Sequence, residues 1–306
     1  MLVTTCLVMG AGGFIGQHLV DGLLNKNKSV IAIGHGVDKL NAHNDLALFG
    51  GEINSSLLDT IPAPDVIYFL LGGSSVSSSM NEPVNDFNKT FQPLTLIMEK
   101  LKSDWKNGKL IFISSAAVYG ENASQSTSIN TECKPLSVYG LHKLLAEQYI
   151  EFYIKNYNVN AKIIRPFSIY GSGLKKQLIW DALCKIANNQ HEYFGSGLEE
   201  RDWLHVSDLV DILIEAIEKF EDFPSVINAG YGKGVRINEI VTLLYEINNI
   251  KQQPIFVNKS KAGDPQHLVC DAHEQLFMPA FRHDLLRQRL REVSSWFESL
   301  NSNKNN

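Results

Sequence analysis

Long apolar runs are missing from this 306-residue chain. No stretch of about 18 consecutive apolar residues occurs, which excludes a membrane-spanning helix on length grounds. Cysteine is scarce too. Cys6, Cys133, Cys184 and Cys270 are scattered, without a CxxC pair or nearby histidines, so neither a zinc site nor a disulfide framework is expected and the thiols read as reduced. An excess of positive charge is also lacking. The chain carries 28 basic against 33 acidic side chains, a net charge of −5, and no Lys/Arg-rich block to neutralise a row of phosphates, so nucleic acid is not expected as a partner. The apolar amino end, residues 1–8, has no basic flank and runs straight into glycines. It reads as a buried first strand rather than a signal peptide, and the expected location is cytoplasmic.

What is present is apolar material for a sizeable core, 44% hydrophobic against 20% charged, in one large domain or two interlocked ones. Short apolar runs at 2–9, 30–33, 66–70, 110–113 and 162–165 alternate with segments of helical period at 13–24, 84–101, 138–156, 207–220 and 238–247. That alternation predicts an α/β fold, a doubly wound parallel sheet wrapped by helices. After about residue 165 the texture changes to glycine-containing loops with shorter helices and weaker strands. This predicts a Rossmann domain over 1–168, to which about 206–230 returns, and a smaller substrate-binding lobe formed mainly by 169–306.

Gly10-Ala11-Gly12-Gly13-Phe14-Ile15-Gly16 follows the first strand and opens the first helix. Phosphate needs backbone N–H groups at a helix start, a tight turn and no Cβ in the way, and glycines supply all three. Such a turn at a strand-to-helix junction points to a dinucleotide. The ribose-binding carboxylate expected at the end of the second strand is absent, because Ile33 is followed by Gly34-His35-Gly36. No arginine stands in for a 2′-phosphate, which leaves both NAD and NADP open. Glu52, beyond the strand-like run 46–49, is placed to accept from an adenine amino group.

Tyr139 and Lys143 lie four apart on one predicted helix and so share a face. A phenol titrates near 10, too high for a base at neutral pH. A neighbouring ammonium favours the phenolate, so the pair can exchange a proton with a sugar hydroxyl while hydride moves to or from a nicotinamide. Ser115 ends the strand-turn segment Ile111-Phe112-Ile113-Ser114-Ser115, and hydroxyls there face the crevice of a doubly wound sheet. Its role is to bond the reacting oxygen; Ser114 reads as an ordinary turn residue.

With GAGGFIG, SSAAVYG, YGLHK, RPFSIYGSG, RDWLHVSDLV, NAGYGKG and AGDPQHLVCD in this order, nearly the whole chain resembles the extended short-chain dehydrogenases/reductases that modify nucleotide sugars. UDP-sugar 4-epimerases typify them. The resemblance implies Ser115, Tyr139 and Lys143 as the catalytic triad. It implies cofactor contacts from Gly10, Gly13, Phe14, Ile15, Gly16, Glu52, Ile53, Tyr139, Lys143 and Pro166. On the substrate side it implies Arg201 for the diphosphate, Asp264 for the nucleotide ribose, Lys261 as a second phosphate ligand, and Gln177, Ser168 and Ser115 around the sugar. Three departures border these pockets. Ser168 and Thr90 each stand where relatives commonly carry Asn, and Leu71-Gly72-Gly73 replaces an Ala-rich turn.

Dehydration needs an extra acid and base beside the strand-end hydroxyl, and Ala116-Ala117 cannot transfer protons. The reading is therefore a UDP-sugar 4-epimerase, with a reductase of a nucleotide-linked 4-keto-6-deoxy sugar as the alternative. A non-catalytic nucleotide-binding protein is third, since Tyr139 and Lys143 are both present. A homodimer is expected through apolar stripes at helical spacing, Leu94, Ile97, Met98 and Leu101 on one helix and Leu141, Leu145, Tyr149 and Phe152 on the other.

Overall fold

The computed structural model describes residues 4–73, 76–121, 126–258, 265–271, 273 and 280–302. Two units emerge from the chain's internal packing: Met1–Gly120, Ile129–Pro166 and Leu209–Asn228 make the first, and Glu121–Ser128, Phe167–Asp208 and Ala229–Asn306 the second.

In the first unit β1 (Thr5–Met9), β2 (Ser29–Gly34), β3 (Leu46–Gly50), β4 (Val66–Phe69), β5 (Lys109–Ile113), β6 (Asn160–Pro166) and β10 (Val226–Ala229) form one sheet. Their order is β10-β6-β5-β4-β1-β2-β3, and β1 pairs in parallel with both β2 and β4. The chain order reverses between β1 and β4, the point where doubly wound sheets bind their ligands. The strands inside the sheet are buried on both faces because helices cover each side, whereas the edge strand β3 is largely exposed. Leu7, Met9, Ile67, Phe69, Leu110 and Phe112 pack into one core with the inner faces of α4 (Pro83–Lys102) and α5 (Val138–Tyr157). The remaining helices here are α1 (Phe14–Asn25), α2 (Ser55–Thr60), α3 (Val76–Asn81) and most of α7 (Val206–Glu218).

One sequence-based stripe is corrected by this packing. Leu94, Ile97, Met98 and Leu101 are fully buried against their own sheet, so this face of α4 offers nothing to a second copy. The outward apolar residues are instead Val84 (72% exposed) and Phe87 (41%) on α4, with Leu141 (44%), Leu145 (38%) and Phe152 (53%) on α5.

The second unit is built on β9 (Glu200–His205), flanked in parallel by β7 (Ser168–Tyr170) and β13 (His267–Leu268) and antiparallel by β11 (Gly234–Arg236). A short pair, β8 (Glu192–Tyr193) and β12 (Ile255–Phe256), lies apart. Helices α6 (Gln177–Ala187), α8 (Ile237–Ile247) and α9 (His283–Ser302) supply its core through Leu183, Ile240, Leu244, Leu290 and Phe297. Arg289 on α9 reaches both carboxylate oxygens of Asp208, at 2.7 and 2.5 Å, a bidentate tie that fixes the last helix.

Candidate active site

At the carboxyl end of β1 the chain turns at Gly10, whose φ of +85° favours glycine. The Gly13 nitrogen donates to the Gly10 carbonyl at 3.0 Å, and Gly13 then caps α1 with no side-chain acceptor on the helix. The first turn, Phe14, Ile15 and Gly16, contains no acid. Uncapped N–H groups at a positive helix end make a receptor for a pyrophosphate, so these residues fit a dinucleotide. Beyond β3, Glu52 is exposed to solvent and Ile53 packs on the core. Pro166 ends β6 at the same carboxyl edge of the sheet.

Ser115 leaves the end of β5, and its Oγ accepts from the Ala117 nitrogen at 3.2 Å. Helix α5 opens on Ser137, whose side chain accepts from the Gly140 nitrogen at 3.1 Å. The Tyr139 nitrogen, one of the first-turn donors a helix leaves unsatisfied, is held by the Ser79 hydroxyl on α3 at 3.0 Å. This anchoring sets the Tyr139 phenol beside the Ser115 hydroxyl. Burial holds the Tyr139 phenol above its ordinary range; the Ser115 hydroxyl opposes that rise, while the Asp86 charge adds to it.

One turn further, the Lys143 ammonium donates to the main-chain carbonyls of Ile113 (2.8 Å) and Leu71 (3.2 Å) and lies 5.0 Å from the Phe112 ring centre. Burial pushes it down to about 8, against the raising charges of Asp86 and Glu147. A proton can thus leave this couple at much lower pH than it would leave either free side chain.

Behind the triad lies a buried polar network that the sequence reading assigned in part wrongly. Ser114 is no simple turn residue, because its hydroxyl donates to Glu147 Oε1 in a short bond. Glu147 also takes two bonds from Arg165, at 3.0 and 2.6 Å. Arg165 in turn reaches the Tyr119 hydroxyl at 2.8 Å. Every charge here has a partner, as burial demands.

In the second unit Arg201 is a buried residue of β9, with Nη1 donating to the carbonyls of Glu200 (2.8 Å) and Gln266 (3.4 Å). Its neighbour Asp202 accepts from the nitrogens of Tyr231 and Gly232 at 2.8 and 2.7 Å, and burial raises its carboxyl to about 6. Ser168 pairs with Trp203 in the register of β7 on β9, and Gln177 opens α6 with a left-handed φ of 68°. Lys261 and Asp264 lie outside the described residues.

The sequence reading missed Asp86 and His142. His142 Nδ1 lies 2.6 Å from Asp86 Oδ2, and both residues are buried between α4 and α5 beside Tyr139 and Lys143. The available signal was an acid and a histidine on two helices of strong apolar period. Their meeting depends on the helix packing.

Residues 6–230 match the model of the NAD dependent epimerase/dehydratase family. A UDP-glucose 4-epimerase of Azospirillum brasilense is 29% identical over 329 residues, covering 96% of this chain and 92% of that protein. The UDP-glucuronic acid 4-epimerase of Bacillus cereus, solved with UDP-glucuronic acid and NAD, superposes with a TM-score of 0.85 at 25% identity, over 97% of this chain and all of that one. The UDP-N-acetylglucosamine 4-epimerase of Methanobrevibacter ruminantium shares the fold with a TM-score of 0.87 at 24% identity, over 98% and 100% of the two chains.

Proposed function

Because the chain belongs to the NAD dependent epimerase/dehydratase family, we propose that it is an NAD-dependent UDP-sugar 4-epimerase. The observation that carries this reading is the Ser115–Tyr139–Lys143 constellation at the carboxyl edge of the sheet, flanked by Ala116 and Ala117 where a dehydratase needs an acid and a base. The relatives described above are epimerases, which favours this reading over one-way reduction.

The Tyr139 oxygen takes the proton of the sugar 4-hydroxyl, and Ser115 holds that oxygen in line by a hydrogen bond. The Lys143 ammonium, fixed on two carbonyls, lowers the cost of the phenolate. NAD, when bound, supplies the hydride acceptor and then the donor at C4. Tyr139 returns the proton as the 4-keto sugar is reduced on its other face. Gly10, Gly13, Phe14, Ile15, Gly16, Glu52, Ile53 and Pro166 serve the cofactor. Arg201, Gln177, Ser168, Lys261 and Asp264 serve the sugar nucleotide in this reading. A cytoplasmic location belongs to it as well.

The test is interconversion of UDP-glucose with UDP-galactose, and of the N-acetyl and uronate pairs, followed by NMR of the sugar anomeric protons. Conversion without added reductant is expected. Net consumption of NADH or NADPH by a 4-keto sugar nucleotide, with no interconversion, would overturn the proposal.

The same reading includes a homodimer, formed by the outward residues Val84, Phe87, Leu141, Leu145 and Phe152, with Phe87 stacked on Phe91 at 4.4 Å. Exposed apolar residues on two adjacent helices suit a second copy, since each large side chain it covers is worth about 1.5–3 kcal/mol. Light scattering at micromolar concentration is expected to give twice the chain mass, and Leu145→Glu to halve it. A monomeric wild type refutes the dimer.

A further inference from the structure

We infer that Asp86, held in place by His142, is a positioning residue whose carboxylate sets the working charge of the Tyr139–Lys143 couple. The inference rests on the acid–base role proposed for Tyr139.

Two carboxylates, Asp86 and Glu147, lend negative charge to the buried ammonium of Lys143. Glu147 is held in a bidentate bond by Arg165, and Arg165 stays charged at every working pH. Asp86 is different. Its partner is an imidazole, at 2.6 Å, rather than a guanidinium. A carboxylate acceptor at that distance places the imidazole proton on Nδ1, so the ring holds the Asp86 carboxylate beside the couple.

The fold makes room for this arrangement. Gly73 packs so closely on Asp86 that an added Cβ would coincide with the carboxylate, and a Cβ on Gly72 would fall 2.8 Å from Thr90 Oγ1 and 3.2 Å from Lys143 Nζ. The Leu71-Gly72-Gly73 segment, one of the departures noted from sequence, thus admits the acid and the ammonium to the same region. Thr90, another departure, bonds the Asp86 carbonyl at 3.2 Å.

Among the described residues, the titratable groups around the pair are few. From α5 they are Tyr139, Lys143 and, one turn on, Glu147. On α4, Glu82 and Lys89 are exposed, and α3 carries no titratable residue. The Phe87 ring packs edge to face on His142 at 5.4 Å. The Asp86 charge raises Tyr139 as well as Lys143, so it opposes loss of a proton from the couple.

The experiment compares wild type, Asp86→Asn and His142→Asn in two readouts: tyrosinate absorbance against pH, each protein measured against its own Tyr139→Phe counterpart, and the pH profile of kcat/KM for UDP-sugar conversion. Asp86→Asn keeps an oxygen for the imidazole N–H but removes the charge, so the midpoint should fall by on the order of one pH unit. His142→Asn keeps a donor for Asp86 but can never compensate it, so the midpoint should stay at or above that of wild type. An unmoved midpoint in Asp86→Asn, or a fall in both variants together, would overturn the inference. If Asp86→Asn does not fold, Asp86→Ser, which also removes the charge, replaces it in the same two readouts, and an unmoved midpoint again overturns the inference. The absorbance titration needs no sugar nucleotide. A shift without epimerisation therefore sinks the functional reading alone, and epimerisation without a shift sinks this inference alone.

Discussion

Lys143 Nζ donates to the carbonyl of Ile113, the last residue of β5, at 2.8 Å. This bond pins an ammonium in a desolvated place, where charge is costly. Its folded midpoint of about 8 lies below the ordinary 10.5, so between those values the folded state holds fewer protons than the unfolded one. Stability therefore rises as pH climbs through that window, and at neutral pH the buried charge costs roughly 3 kcal/mol. Lys143→Met is accordingly expected to unfold at higher denaturant concentration than wild type at neutral pH while losing turnover. A less stable Lys143→Met would contradict this account.

Tyr139→Phe removes only the proton-transferring oxygen, and the main-chain bond to Ser79 at 3.0 Å is untouched. Turnover is expected to vanish while NAD affinity, read by calorimetry, stays within about twofold, a change of roughly 0.4 kcal/mol. Ser115→Ala should be milder, with a loss of ~10²–10⁴-fold in kcat. Full activity in Tyr139→Phe would sink the mechanism.

The strands, the glycine turn and the placing of Tyr139 and Lys143 on one helix were legible in the sequence because each rests on local pattern. An apolar run, a strand-to-helix glycine cluster or a four-residue helical spacing carries its meaning without knowledge of distant partners. The face that α4 buries was not legible. Leu94, Ile97, Met98 and Leu101 form a regular stripe whether it meets a sheet or another copy, and only packing shows that the sheet takes it. Ser114 was misread for the same reason, since its partner Glu147 lies 33 residues away. Asp86 and His142, 56 residues apart, belong to this class as well.

From the diphosphate role proposed for it, Arg201→Ala should weaken binding of the sugar nucleotide and leave NAD affinity unchanged. A guanidinium offers phosphate two parallel charge-assisted bonds, and losing them costs roughly 1.5–3 kcal/mol, or about ten- to a hundredfold in Kd. Arg201 is buried with carbonyl partners on Glu200 and Gln266, so it is already oriented before substrate arrives. Titration calorimetry with UDP-glucose reads the change, and an unaltered affinity removes Arg201 from the substrate site. Thermal unfolding of the variant separates this from a loss of folding.

Gly34 shows why a missing carboxylate need not be a choice about cofactor. Read from sequence alone, replacing it with aspartate would restore the ribose acceptor and turn preference toward NAD. The structure places Gly34 at φ +123°, a conformation that side chains rarely adopt, with its missing Cβ directed at Gly10 of the phosphate turn, 3.5 Å from the Gly10 nitrogen and Cα. Aspartate there would strain the backbone, beside the turn that receives the pyrophosphate, by on the order of 1–3 kcal/mol. Gly34→Asp is therefore expected to lower the unfolding temperature and to weaken NAD and NADP alike, with no gain in discrimination. Fluorescence titration with both reduced cofactors checks this. A variant that binds NADH more tightly than wild type, with unaltered stability, would show that the strand end accepts a side chain after all.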